Sequence, residues 1–251
     1  MDESRRKCTS PASEQGSLCE KWLTGTAAGF VVVALIAFVV GDRVISARAA
    51  ARQTMCAGSR LFEKAFFLRN YCHAEGRLPP AILQDGPDGP PYSWRIVAYR
   101  YGAPDTYDAY DRSSAWDSEK NTTLRFKESG GRGSFACPAD KAARSGALTS
   151  YVAVVGKNTL WPGRTGRKIP KLTPEIMDTI VLIEIPDSDI PWTEPRDLTL
   201  EEAVALFRDE KREGPRRHPE GLNYITLGGQ YGSFRSIRTV EKFVDMLCVP
   251  E

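Results

Sequence analysis

The sequence predicts an α+β fold in which one long N-terminal helix, apolar in its first half and amphipathic in its second, packs on a small antiparallel sheet. Three observations predict it. Residues 22–41 carry no charge; apolar residues then recur at helical spacing from Ala51 to Tyr71; and the strand candidates all fall after residue 149.

The first element is the uncharged stretch from Trp22 to Gly41. At 1.5 Å per residue, about 20 helical residues match the hydrocarbon thickness of a bilayer. It runs into the basic, alanine-rich segment Asp42 to Arg52, so the expected helix leaves the membrane and continues. A cleaved secretory signal is the alternative, with Arg5-Arg6-Lys7 as its basic region and Ala47-Arg48-Ala49 as its cleavage site. Asp42 and Arg43 stand between the apolar run and that site, which favours a retained anchor. Residues 1–21 lack an apolar period and are expected to be a disordered tail. Basic residues are balanced across the span, with Arg5, Arg6, Lys7 and Lys21 before it and Arg43, Arg48, Arg52 and Arg60 after it, so charge does not fix the orientation. Six cysteines fit an oxidising compartment better than a reducing one, which places residues 42–251 outside the cytosol.

The outer half of the helix, to about Cys72, presents Ala51, Met55, Leu61, Phe62, Ala65, Phe66, Leu68 and Tyr71 as one stripe, with Arg60, Lys64 and Arg69 elsewhere. Loops rich in Pro and Gly follow at 78–91, 130–133 and 161–166. Strands are expected at 150–155, 179–185, 222–227 and 231–236, the last two joined by the Gly228-Gly229-Gln230 turn. Thr199 with Glu202 three residues on forms a capping box opening a helix to about Arg208, and a last helix spans Val240 to Leu247. The mixed-charge run Arg208 to Glu213 is a solvated helix end or loop.

A net charge of +2 offers no basic field for nucleic acid. No nucleophile elbow, phosphate-binding loop or dinucleotide fingerprint occurs. With only His73 and His218, and no Cys-x-x-Cys, neither a metal nor a cofactor is expected. His218 is expected to hydrogen-bond across its own loop. A hydrolase pairing Cys137 with His218 would need a cleft and an oxyanion site. Asp105, Asp108 and Asp111 recur every three residues; they suit a solvated helix face better than a calcium loop.

A set of ordered blocks is more specific. Asn70-Tyr71, Gly76-Arg77-Leu78-Pro79-Pro80, Ser93-Trp94-Arg95, Trp116-Asp117-Ser118, Cys137-Pro138-Ala139-Asp140, Thr149 to Gly156, Trp161-Pro162-Gly163, Pro191 to Leu198 and His218 to Asn223 resemble, over roughly residues 29–236, the domain of unknown function 1559 family. These are bacterial prepilin-like proteins similar to the general secretion pathway pseudopilin G. The resemblance implies a pseudopilin-like fold and a structural or assembly role without catalysis. The protein would sit in the bacterial inner membrane as a single-pass protein with its C-terminal domain in the periplasm. Its partners would be the lipid bilayer and, through the N-terminal helix, itself or other pilin-like subunits. A membrane-anchored periplasmic binding or transport-accessory protein is the alternative.

Two departures qualify this. Gly29-Phe30 stand where the family's mature helix begins, but Ala34 replaces the family's glutamate, which in pilins meets a neighbouring subunit's N-terminal amine. The family's His-x9-Asp-Gly motif is degenerate, with His218 present and Gly228-Gly229 in place of Asp-Gly. Gly-Gly still supports a tight turn. Cys56 and Cys137 occupy family cysteine positions, which makes them the candidate disulfide. Such a bond would staple the helix to the domain across a loop of about 80 residues and contribute about 3 to 4 kcal/mol. Two buried free thiols are the alternative. Cys72 and Cys248 lack that support, and Cys8 and Cys19 precede the span.

Overall fold

The structure is a computed structural model and describes residues 14–129, 134–169, 171–213, 218 and 221–249; side chains are described from residue 31 onward, except at 52 and 53. The chain divides into two compact units between Arg48 and Ala49. Helix α1 spans Glu14–Thr54, a π-helical segment spans Met55–Leu61, and α2 spans Phe62–Glu75, closing at Gly76 in the left-handed conformation (φ 65°). The helix thus begins at Glu14 rather than Trp22, and the first 13 residues of the expected tail lie outside the described residues.

The transmembrane character expected for residues 22–41 is not supported: among the described residues no helix is long and apolar enough to cross a membrane. Residues 22–30 of that span lie outside the described side chains, and the described remainder is shorter than the roughly 20 residues a bilayer needs.

The expected stripe also needs correction. Cys56, Leu61, Lys64, Ala65, Phe67, Leu68 and Cys72 are buried, whereas Met55, Phe62 and Phe66 are exposed. The adjacent apolar pairs Leu61-Phe62 and Ala65-Phe66 offer two stripes one residue apart, and packing on the domain selects the one through Ala57, Leu61, Ala65, Leu68 and Cys72.

Beyond α2 come β1 (Ile82–Gln84), β2 (Pro91–Ser93), α3 (Trp94–Tyr99), α4 (Pro104–Ala109), α5 (Glu119–Glu128) and α6 (Lys141–Gly146). The second half contains β3 (Tyr151–Val152), β4 (Val154–Val155), α7 (Pro174–Met177), β5 (Ile180–Glu184), β6 (Leu198–Thr199), α8 (Leu200–Glu213), β7 (Asn223–Thr226), β8 (Tyr231–Ser233) and α9 (Val240–Leu247). The main sheet is antiparallel with order β3-β5-β7-β8. The strand expected at 150–155 is divided: β3 joins that sheet, while β4 pairs in parallel with β6.

Both faces of the sheet are covered. One core gathers Leu61, Leu68, Trp94, Phe135, Trp161 and Trp192; the other gathers Val152, Ile183, Phe207, Phe234 and Phe243, with Phe207 and Phe243 stacked at 4.5 Å. Strand β5 gives Val181 and Leu182 to the first core and Ile180 and Ile183 to the second, with a register shift between Ile180 and Leu182, and is buried at every position. The capping box forms as expected: Thr199 N donates to Glu202 Oε2 (2.7 Å), and Glu202 N donates to Thr199 Oγ1 (3.2 Å). Helix α9 has the expected bounds. Helix α8 runs on through Arg208–Glu213 because Glu210 turns inward, its Oε1 accepting from Leu222 N.

Candidate functional site

A strand buried on both faces has little tolerance for a carboxylate, yet β5 ends in Glu184, which is fully buried. Around it the fold brings Cys56 from the π-helical segment, Cys137 from the loop after α5, and His218 from the segment before β7. All four are buried, and their ligand atoms lie within 4.8 Å of one another. Cys56 Sγ donates to Glu184 Oε1 (3.2 Å), His218 Nε2 meets the same oxygen (3.0 Å), and Cys137 Sγ meets His218 Nε2 (3.4 Å).

A ring of hydrogen bonds holds these groups in place. Glu184 Oε2 accepts from Asn223 N (3.1 Å) and Asn223 Nδ2 (2.7 Å). Tyr151 Oη meets Cys56 Sγ at 3.1 Å, Ala139 N donates to Cys137 Sγ (3.4 Å), and Cys137 N donates to Ser150 Oγ (2.9 Å). Burial holds the Tyr151 hydroxyl protonated, and with the Cys56 proton directed at Glu184 Oε1 the hydroxyl is free to donate toward sulfur.

The two thiols differ electrostatically. Burial, the hydrogen bond with Cys137 and the Glu184 charge push the Cys56 thiol up. Hydrogen bonding from Cys56, aided by His218, brings Cys137 down to about 7 against the opposing effect of burial. Burial disfavours a charged imidazole, but hydrogen bonds to Cys137 and Glu184 outweigh it and raise His218 to about 9. Two soft sulfurs, an imidazole and a carboxylate converging on one point are a donor set suited to a divalent transition metal.

The arrangement does not suit nucleophilic catalysis. A Cys-His relay uses one ring nitrogen for the nucleophile and the other for the orienting carboxylate. Here Nε2 faces both Cys137 and Glu184. Surface depressions of about 350, 310, 540 and 520 Å³ exist, but none is lined by any of the four residues.

The structure brings Cys56 and Cys137 together as free thiols, not as a bridge. Cys72 and Cys248 are also free. Across its own loop the His218 carbonyl accepts from Gly221 N (2.9 Å), while Nε2 of the ring enters the cluster. Gly228 and Gly229 make the expected hairpin turn, with Gly229 at φ 90° and Gly229 N donating to Thr226 O (3.0 Å). A Cβ at Gly228 would stand 2.9 Å from the Met177 carbonyl oxygen, so this turn has no room for the aspartate of the family motif. Asp105 lies in the first turn of α4, while Asp111 lies beyond its end and accepts from Ser113, Ser114 and Lys120.

Glu184, Asn223 and Tyr151 are members that reasoning on motifs passed over. The available signal was a lone carboxylate in the otherwise apolar run from Ile180 to Ile185.

Comparison with curated proteins and with solved structures finds no match. A family model described as "Protein of unknown function (DUF1559)" matches residues 45–171, a span that includes Cys56 and Cys137 and ends before Glu184 and His218. That match covers half of the sequence, and the chain belongs to this family.

Proposed function

We propose that the chain is a membrane-anchored, pseudopilin-like structural protein whose C-terminal domain works on the extracytoplasmic side without catalysis. The observation that carries this reading is the exposure of α1 from Val31 to Val40. All ten residues are uncharged and open to solvent, with Val33 at 64% and Phe38 at 74%. An apolar surface of this kind is stable only when something apolar covers it. The uncharged sequence preceding it from Trp22 extends the run to bilayer length, so lipid is the covering phase that fits.

The absence of a carboxylate from Trp22 to Gly41 bears on assembly. With Ala34 in the glutamate's place, no buried charge is available to pair with an incoming amine. Packing between such helices would rest on small residues such as Gly25, Ala28 and Ala34, which favour close pairs over registered addition.

Fractionation of cells expressing the full chain tests both parts. The protein is expected in membranes after an alkaline carbonate wash and is expected to be missing from sheared surface filaments. Release by carbonate overturns the anchor. Recovery in filaments with Phe30 at the N-terminus overturns the non-assembling reading.

A further inference from the structure

From the convergence of Cys56, Cys137, Glu184 and His218 we infer that the domain holds a structural zinc ion at this point. Four observations support it, none of which depends on the anchor.

The first is size. A tetrahedral zinc site with bonds of roughly 2.0 to 2.3 Å has ligand-to-ligand edges of about 3.3 to 3.8 Å. The contacts here are 3.2 Å from Cys56 Sγ to Glu184 Oε1, 3.0 Å from His218 Nε2 to the same oxygen, and 3.4 Å from Cys137 Sγ to His218 Nε2, with every remaining pair inside 4.8 Å. The three short contacts need to open by a few tenths of an ångström to reach those edges.

The second is donor chemistry. Two sulfurs exclude calcium and magnesium, which take oxygen, and the closed mixture of sulfur, nitrogen and oxygen suits zinc. The third is the surrounding shell. Ligating carboxylates and thiolates are steadied by outer hydrogen bonds, and here Asn223 fixes Glu184 through Oε2, leaving Oε1 directed at the ion. Tyr151 and Ala139 point donors at the two sulfurs in the same way.

The fourth is placement. The ligands come from a helix, a loop, a strand and a second loop, so the ion would tie the N-terminal helix to the sheet, the task the candidate disulfide would otherwise perform. Four protein ligands and full burial leave no open position, which distinguishes a structural zinc from a catalytic one. Binding exchanges protons for metal: Zn²⁺ enters, and the protons held by the two thiols and the imidazole leave to solvent.

Zinc content of the detergent-solubilised full chain, purified under reducing conditions and dialysed, tests this. About one zinc per chain is expected. Replacement by Co²⁺ should give the intense visible bands of a tetrahedral site and a thiolate-to-metal charge-transfer band. Cys56→Ser and His218→Ala should each weaken Zn²⁺ binding by at least about 10-fold, while Cys72→Ser should leave it unchanged. If those variants do not fold, the wild-type stoichiometry and Co²⁺ spectrum remain decisive. A folded wild-type chain that takes up neither Zn²⁺ nor Co²⁺, a native Cys56–Cys137 disulfide found by peptide mapping, or Zn²⁺ binding unchanged in folded His218→Ala would overturn the assignment.

Discussion

Two fully buried charged residues, Arg95 and Glu184, lie on either side of Tyr151, and their surroundings are built on opposite principles. Arg95 is ringed by acceptors: Asp197 Oδ1 at 2.6 Å from Nη2, Ser93 Oγ at 2.9 Å from Nη1, and the Tyr151 carbonyl at 3.2 Å from Nη2. Asp197 in turn accepts from Trp94 Nε1 (3.0 Å) and Ala153 N (2.8 Å). One cation meets one anion within the protein, and of the guanidinium nitrogens Nη1 and Nη2 find acceptors while the buried Nε finds none among the described residues. Around Glu184 the carboxylate faces two sulfurs and an imidazole, groups that bind a metal as readily as a proton. The first set is a matched pair of fixed charges, whereas the second holds thiols and an imidazole whose protons a metal ion can displace.

The largest effect is expected where the matched pair is broken. Asp197→Ala leaves the Arg95 guanidinium buried without its counter-charge, and chemical denaturation of the solubilised chain should show a loss of about 3 to 5 kcal/mol. A loss below about 1 kcal/mol would mean that carbonyl acceptors alone satisfy Arg95, and the contrast between the two regions would weaken.

Tyr151 belongs to both regions, its carbonyl facing Arg95 and its hydroxyl facing Cys56. Tyr151→Phe deletes only the hydroxyl. Stability is expected to fall by about 1 kcal/mol, and Zn²⁺ affinity by roughly 10- to 100-fold. An unchanged affinity in titrations with Zn²⁺ would show that the hydroxyl packs against the sulfur without supporting it.

Local structure was readable in the sequence because its causes are local. Thr199 and Glu202 cap a helix from three residues apart, Gly228-Gly229 closes a hairpin, and α9 follows its apolar period. The buried face of the long helix was not readable, since the apolar pairs Leu61-Phe62 and Ala65-Phe66 permit two stripes and only tertiary packing decides that Phe62 and Phe66 stay exposed. The cluster was hidden by distance. Cys56 is 128 positions from Glu184, and Cys137 is 81 from His218. Ligand spacing rules apply to sites built from one turn or hairpin, and this site is assembled by the tertiary fold. Its single-residue trace, a carboxylate in an apolar strand, is visible at Glu184 but names no partner.

The smallest effect is expected at a third buried ion, Lys64, which stands between the two extremes. Its Nζ reaches the half-exposed Glu63 (2.9 Å) and lies over the rings of Phe67 and Phe135, 5.4 and 5.0 Å from their centroids. Burial outweighs the Glu63 charge and lowers the amine from its ordinary 10.5 to about 8. Between those two pH values the unfolded chain holds a proton that the folded chain has released, so stability should rise as pH increases through that window. Lys64→Met keeps the length of the side chain and removes the ion. Below pH 8 it should leave stability unchanged or raise it by about 1 kcal/mol, as replacement of a buried ion by an apolar side chain often does. It should also remove the Lys64 contribution to the alkaline rise. Denaturation curves of both proteins across that range decide the matter: a variant that is less stable and retains the full rise would place Lys64 with Arg95, as an ion that its buried partners stabilise.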